Sequence, residues 1–251
     1  MRSFMMKFSF SFIFILLFSL GAFAAHPLIT DDTGVQGKGK FEVEVNGEWG
    51  REKNPDVVNS GEVAVAISCG LADRLDLGIG VPFVMENAQG SDTVHGVSDV
   101  GLELKWNFYE VEMFSFALKP GMSLPSGDES RGFGTGKIGY STFFITTMTW
   151  ESLAMHFNAG YARNENKADE LENIWHFSLA AEYSIMDSFR LVVNSGAERN
   201  ADRGDDTPPA FVLAGIIWSP AEWIDLDLGY KVGMTDPETD HSIMMGVTAR
   251  W

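Results

Sequence analysis

Apolar and polar residues alternate with a period of two along most of the chain after residue 40. Phe41, Val43, Val45 and Trp49 stand against Lys40, Glu42, Glu44, Asn46 and Glu48. Val100, Leu102, Leu104, Trp106 and Phe108 stand against Asp99, Gly101, Glu103, Lys105 and Asn107. Ile224, Leu226, Leu228, Tyr230 and Val232 stand against Asp225, Asp227, Gly229 and Lys231. Successive side chains of a strand point to opposite faces, so each stretch predicts a strand with one apolar and one polar side. Twelve such strands are predicted, near 40–49, 61–70, 75–85, 97–109, 114–124, 137–150, 153–163, 174–185, 189–199, 209–218, 224–234 and 241–251. Ala210 to Trp218 is apolar on both faces, and its sides stay unassigned.

Five turns between these strands share a pattern: an acid, then apolar residues two and four places on. Asp73, Glu112, Glu151, Asp187 and Glu222 begin the copies, 39, 39, 36 and 35 residues apart. A polar residue in a tight turn followed by alternation marks a strand leaving that turn. The spacing accommodates two strands, one short turn and one long loop, the asymmetry of an up-and-down barrel in a membrane. About ten residues rising about 3.3 Å each, tilted about 40°, span roughly 25 Å, the height of an outer-membrane apolar band. A Lys or Arg facing lipid at the midplane costs about 2–4 kcal/mol, so the charged faces must point inward. Short turns are expected on the periplasmic side and long loops, near 50–60, 86–96, 125–136, 164–173, 200–208 and 235–240, outside.

The tryptophans fit two girdles at the lipid headgroups. Trp106, Trp150, Trp218, Trp223 and Trp251 fall at expected periplasmic strand ends, and Trp49 and Trp175 at outer ends. The chain closes on an alternating strand ending in Trp251, which resembles the assembly signal of outer-membrane barrels and makes the barrel-assembly machinery an expected partner.

Residues 1–25 form a separate unit: basic Arg2 and Lys7, an apolar run from Phe8 to Leu20, then small residues at Ala22 and Ala24. This predicts a secretory signal peptide. Residues 26–39 form an N-terminal segment rich in Gly, Asp and Thr, either a periplasmic tail or a lumen contact, and 40–251 form the barrel. Removing Arg2 and Lys7 leaves 16 basic against 35 acidic side chains, a formal charge of −19. Nucleic acid is excluded as a partner, since phosphate binding needs clustered Lys and Arg. The single Cys69 precludes an internal disulfide and falls on a lipid-facing position.

Three stretches carry a family resemblance: His26-Pro27-Leu28-Ile29-Thr30-Asp31-Asp32-Thr33-Gly34 running on to Gly39-Lys40-Phe41-Glu42; Gly96 to Trp106; and Leu118 to Asp128 followed by Gly134-Thr135-Gly136. They resemble the outer-membrane transporter family labelled "MetA-pathway of phenol degradation", which is similar to the barrel that exports functional-amyloid subunits. The resemblance implies a twelve-stranded barrel, a transport role and a homo-oligomer, with hydrophobic or aromatic compounds as cargo by analogy. The stretch before Asp31 offers no periplasmic coiled coil, so amyloid export is not expected.

Candidate lumen-lining residues are Glu42, Glu44, Asp99, Glu103, Lys105, Lys119, Glu182, Arg190, Asp225, Asp227 and Lys231, with Lys137 and Arg250 on the same expected faces. Two interpretations stay open: a pore whose charge selects solutes, or a structural network of acid–base pairs. His156 and Asn158 share an inward face without metal-ligand spacing, and no metal or cofactor is expected. His176, Ser178 and Asn194 offer the residue types of a serine hydrolase, but alternation puts His176 and Ser178 inside, away from lipid, so no enzyme is expected. The sequence thus predicts an all-β transmembrane barrel in the cell outer membrane, contacting its lipids and passing small molecules passively. The alternative is a structural or surface-interaction barrel with a sealed lumen.

Overall fold

The computed structural model describes residues 26–52, 58–88 and 92–251. The expected signal peptide lies outside the described residues. The wall is built from β1 (Phe41–Glu52), β2 (Val58–Ala72), β3 (Leu75–Ala88), β4 (Val94–Val97), β5 (Val100–Val111), β6 (Phe114–Leu124) and β7 (Gly139–Trp150). It continues through β8 (Leu153–Arg163), β9 (Asn173–Met186), β10 (Phe189–Glu198), β11 (Ala210–Ala221), β12 (Ile224–Gly233) and β13 (His241–Arg250). Apart from β4 and β5, which both pair with β3, each strand pairs antiparallel with its chain neighbour, and β1 pairs with β13, so the sheet closes on itself. Closure pairs every strand but the short β4 on both sides, so the wall has no long open edge for lipid to meet.

β4 and β5 together make one stave of the wall, giving a barrel of twelve strands. The stretch expected as one strand over 97–109 is interrupted at Ser98 and Asp99. The cause is on the neighbouring strand. β3 pairs with β4 up to Phe83–Val97 and with β5 from Gly80–Gly101, so one strand has one residue more than the other between these pairs. Pro82 lies in that gap, accepts from the Ser98 N–H at 2.9 Å, and has no N–H to return. The extra residue forms a bulge that turns Asp99 inward.

The five acid-marked turns all lie at one end, between β2 and β3, β5 and β6, β7 and β8, β9 and β10, and β11 and β12. Glu112 and Glu151 both take φ of 50° there, the left-handed conformation of a tight turn. The longer connections lie at the other end. β1 and β2 pair out to Glu52 and Val58, beyond the ends expected from the sequence.

The alternation is realised as expected. Val45, Val65, Ile67, Leu77, Phe144, Phe157, Leu191, Leu228 and Val247 are exposed on the outer wall, while Glu42, Glu44, Lys105, Lys119, Asn158 and Lys231 are buried inside. Among the described residues no helix is long and apolar enough to cross a membrane; the apolar outer wall is the surface that meets lipid. Ala210–Trp218 has sides after all: Phe211, Leu213 and Ile217 are buried inward, and Val212 and Trp218 are exposed. Its inner face is apolar because apolar residues of the N-terminal segment pack on it.

Candidate functional site

The interior is occupied by the chain's own N-terminal segment. At Gly37 and Gly39 the backbone takes φ of 84° and 78°, which glycine adopts without strain. Gly39 N–H donates to Gly70 O at 2.8 Å and Gly70 N–H to Lys40 O at 2.9 Å, pinning the turn against β2. Preceding residues run into the barrel, where Thr30 and Asp31 are 0% exposed.

A strand in a sheet satisfies its backbone by ladder bonds, and a buried backbone without them must find other partners. Here inward side chains supply them. Asn194 Oδ1 accepts from Ile29 N–H at 2.7 Å and Thr30 N–H at 3.1 Å, and Asn194 Nδ2 donates to Thr30 Oγ1 at 2.6 Å. Asn158 brackets Asp31, accepting its N–H and donating to its carbonyl, both at 2.8 Å. Thr147 Oγ1 accepts from Thr33 N–H at 3.1 Å, and Asn107 Nδ2 donates to Thr33 O at 3.0 Å. Thr33 also bonds Ser115 through its hydroxyl. Asp76 accepts from Gln36 N–H at 2.7 Å.

Apolar contacts fix the other end. Leu28 is buried with Ala180, Val192 and Ile217, and Ile29 packs against Phe211, Leu213 and Met244. Pro27 is fully buried against Gly215 and Gly229, where any side chain on either glycine would overlap its ring. His26 Nδ1 lies 2.5 Å from Asp227 Oδ1.

Charge locks the segment at its centre. The Asp31 carboxylate bridges Lys105 Nζ and Lys119 Nζ, each at 2.7 Å. Lys105 also lies 3.5 Å from Asp32, and Lys119 lies 3.4 Å from Glu103. Burial acts to raise the Asp32 carboxyl, but Lys105, His156 and the Gly34 N–H together outweigh it and hold the group at about 2.

The remaining lumen candidates fall into separate groups. One is a chain of ion pairs around the short-turn end. His156 meets Glu182 at 3.2 Å, Arg190 joins Glu182 and Asp225 at 3.0 Å each, and Arg250 joins Asp225 at 2.8 Å and Glu42 at 2.6 Å. Towards the long loops, fully buried Lys231 sits between Glu48 at 2.8 Å and Glu238 at 3.0 Å. Asp99 serves a loop: it accepts from Gly127 N–H at 3.0 Å and from the Thr135 N–H and hydroxyl at 2.8 Å each, holding 125–138 beside β4, where Phe133 is buried near Gly96. Lys137, expected inside at a strand start, lies in this loop, half exposed and 3.7 Å from Glu165. Glu44 is buried and accepts from the Asn46 amide at 3.1 Å.

His176 is placed inside, as the alternation requires. Its Nε2 is 3.1 Å from Ser178 Oγ and its Nδ1 is 3.4 Å from Glu198. Ser178 is buried against Gly196 and stands on the face away from lipid, and Asn194 is engaged by the N-terminal segment. Cys69 is half-buried and unpaired. Among the described residues no cluster of three or more His, Cys, Asp or Glu is arranged to hold a metal.

The aromatic candidates lie on the outer wall near the two ends. Trp106 pairs with Leu75 at the start of β3, Trp150 ends β7, Trp218 pairs with Phe189 at the start of β10, and Trp223 lies in a turn. Trp251 stacks on Phe41 with ring centroids 6.2 Å apart. Trp49 pairs with Ile243 and Trp175 with Tyr161, near the long loops. All but the half-buried Trp175 are exposed.

The fold has relatives among solved structures. The NanC porin superposes with a TM-score of 0.59 at 13% identity, covering 82% of this chain and 98% of that one. The KdgM porin in complex with disordered oligogalacturonate gives 0.55 at 8% identity over 83% and 98%. The translocator domain of the autotransporter NalP from Neisseria meningitidis gives 0.50 at 12% identity over 86% and 89%. What they share with this chain is the fold, a closed antiparallel β-barrel. A comparison with curated proteins returns no match. The family model described as "Putative MetA-pathway of phenol degradation" matches residues 24–251, and the chain belongs to that family.

Proposed function

We propose that the protein is an outer-membrane channel for small polar solutes, closed at rest by its own N-terminal segment. One observation carries this: residues 29–36 are held in the lumen by side chains of the wall, without ladder bonds of their own. Water can replace each such contact, so the segment can leave without opening the barrel. The porin architecture supports passage through the middle, and the polar inner wall favours polar solutes. Hydrophobic or aromatic cargo is supported by the family's description alone. The KdgM structure holds an oligogalacturonate; here the surplus of carboxylates inside favours neutral or cationic solutes over such an anion.

A sealed structural barrel is the second interpretation, favoured by the same filled lumen. Swelling of proteoliposomes in solutes of graded size and charge separates the two. The channel predicts slow swelling with the full chain and fast, size-limited swelling after deletion of residues 27–36. No swelling with either protein, both folded by heat-modifiable mobility, would establish the sealed barrel.

A further inference from the structure

Among the described residues, a space inside the barrel stays unfilled by the N-terminal segment. It is a cavity of about 290 Å³ at the short-turn end, between residues 32–36 and the inner faces of β1, β2, β3 and β5. Ser68 and Gly78 form part of its wall, and their small size makes the room. The carboxylates of Asp32, Glu42, Glu44, Asp76 and Glu103 line it, against two cations, Lys105 and Arg250.

Both cations are already committed. Lys105 is taken by Asp31 and Asp32, and Arg250 by Glu42 and Asp225. Glu103 has Lys119. Among the described residues, Glu44 and Asp76 have no basic side chain in ion-pair contact. Asp76 is 5% exposed, and its Oδ1 is buried with no hydrogen-bond partner. A buried carboxylate left so must take up a proton or a cation.

The separation of the two carboxylates selects the kind of cation. Glu44 pairs with Ala66, Ala66 pairs with Gly80, and Asp76 lies four residues from Gly80 along β3. Two strand spacings and four residue rises put the two Cα atoms roughly 16 Å apart. A metal ion needs its oxygen ligands within about 2.0–2.6 Å and cannot engage both groups. A flexible chain with an ammonium at each end can.

We propose that this cavity binds linear aliphatic diammonium compounds, one ammonium at Glu44 and the other at Asp76. This deepens the channel reading and rests on it for the path by which the ligand arrives. Hydrogen bonds to a charged group are the strong ones, and burial of the methylene chain beside Val35 adds an apolar contribution.

The test is calorimetric titration of the purified full-length barrel in detergent, where no transport is needed. The probes are 1,5-diaminopentane, pentylamine, 1,5-pentanediol and calcium chloride. The diamine is expected to bind, pentylamine at least tenfold more weakly, and the diol not at all. Glu44→Gln and Asp76→Asn should each weaken diamine binding at least tenfold while heat-modifiable mobility stays that of the folded barrel. No diamine binding by folded protein, unchanged binding by both folded variants, or tighter binding of calcium than of the diamine would each overturn the proposal. Should either variant fail to fold, the comparison of diamine with monoamine on the unmodified protein decides. Swelling assays on the 27–36 deletion report on the channel independently: binding without permeation removes the channel, and permeation without binding removes the site.

Discussion

Asp31→Asn keeps the shape of the central residue of the N-terminal segment and removes its charge. Asp31 is 0% exposed and bridges two ammonium groups at 2.7 Å each, so the substitution deprives two buried lysines of their nearest anion. Breaking a buried ion pair by removing one partner costs about 3–5 kcal/mol. Lys105 keeps Asp32 at 3.5 Å and Lys119 keeps Glu103 at 3.4 Å, which places the loss at the lower end, about 3 kcal/mol. When the segment leaves the lumen, water solvates both lysines, so the loss falls mainly on the docked state. At about 1.4 kcal/mol per factor of ten, the docked-to-undocked ratio drops about 100-fold. The assay is thiol labelling of Thr30→Cys in a Cys69→Ala background, in liposomes, with a membrane-impermeant maleimide. Thr30 is fully buried when docked, so its labelling rate follows the undocked population. The Asp31→Asn barrel should label about 100-fold faster. Equal rates in two folded barrels would refute the assignment of Asp31 as the lock.

Further outcomes follow from other contacts. Leu28→Ala removes the apolar anchor against Val192 and Ile217 and should also speed Thr30→Cys labelling, by an amount corresponding to about 2–3 kcal/mol; an unchanged rate would show that the anchor is idle. Gly70→Val would place a Cβ 1.8 Å from Gly37 O, so the turn at 37–39 must move while the outer wall stays intact; the expected result is normal heat-modifiable mobility with raised conductance, and unchanged conductance would contradict the turn's placement. Lys231→Met strands the Glu48 and Glu238 carboxylates without their cation and should loosen the connection at 234–240, read as faster proteolysis there; equal cleavage rates would show that the pair does not hold that loop. The tryptophans should be quenched more strongly by lipids brominated near the headgroup than near the chain end, and the reverse order would contradict their placement at the interfaces.

The wall was legible because each strand has one face to lipid and one to a charged interior, so alternation carries through almost unbroken. The acid-marked turns show where each hairpin folds back, and across the turn at Asp187 the structure pairs Glu198 with His176 and Asn194 with Ala180. Ser98 and Asp99 broke the pattern for a reason one strand away, the missing N–H of Pro82. The course of residues 26–36 was hidden because its backbone partners are side chains from separate strands, which leave no periodicity in the segment itself. A signal existed on the wall: Asn107, Asn158 and Asn194 share inward positions where ion pairing gives them no role, and amides of this kind suit a backbone lying across them. Ala210–Trp218 was ambiguous because its inner face is apolar to receive Leu28 and Ile29. The ion pairs themselves were hidden, since alternation gives the facing of a residue and not which neighbour it reaches across a curved interior.

The most direct test of the central claim is single-channel recording in planar bilayers with the full chain and with residues 27–36 deleted. A channel closed by its own N-terminal segment predicts little or no steady current from the full chain and a large, ohmic, cation-preferring conductance from the deletion. Identical currents from the two folded proteins, open or closed, would contradict it.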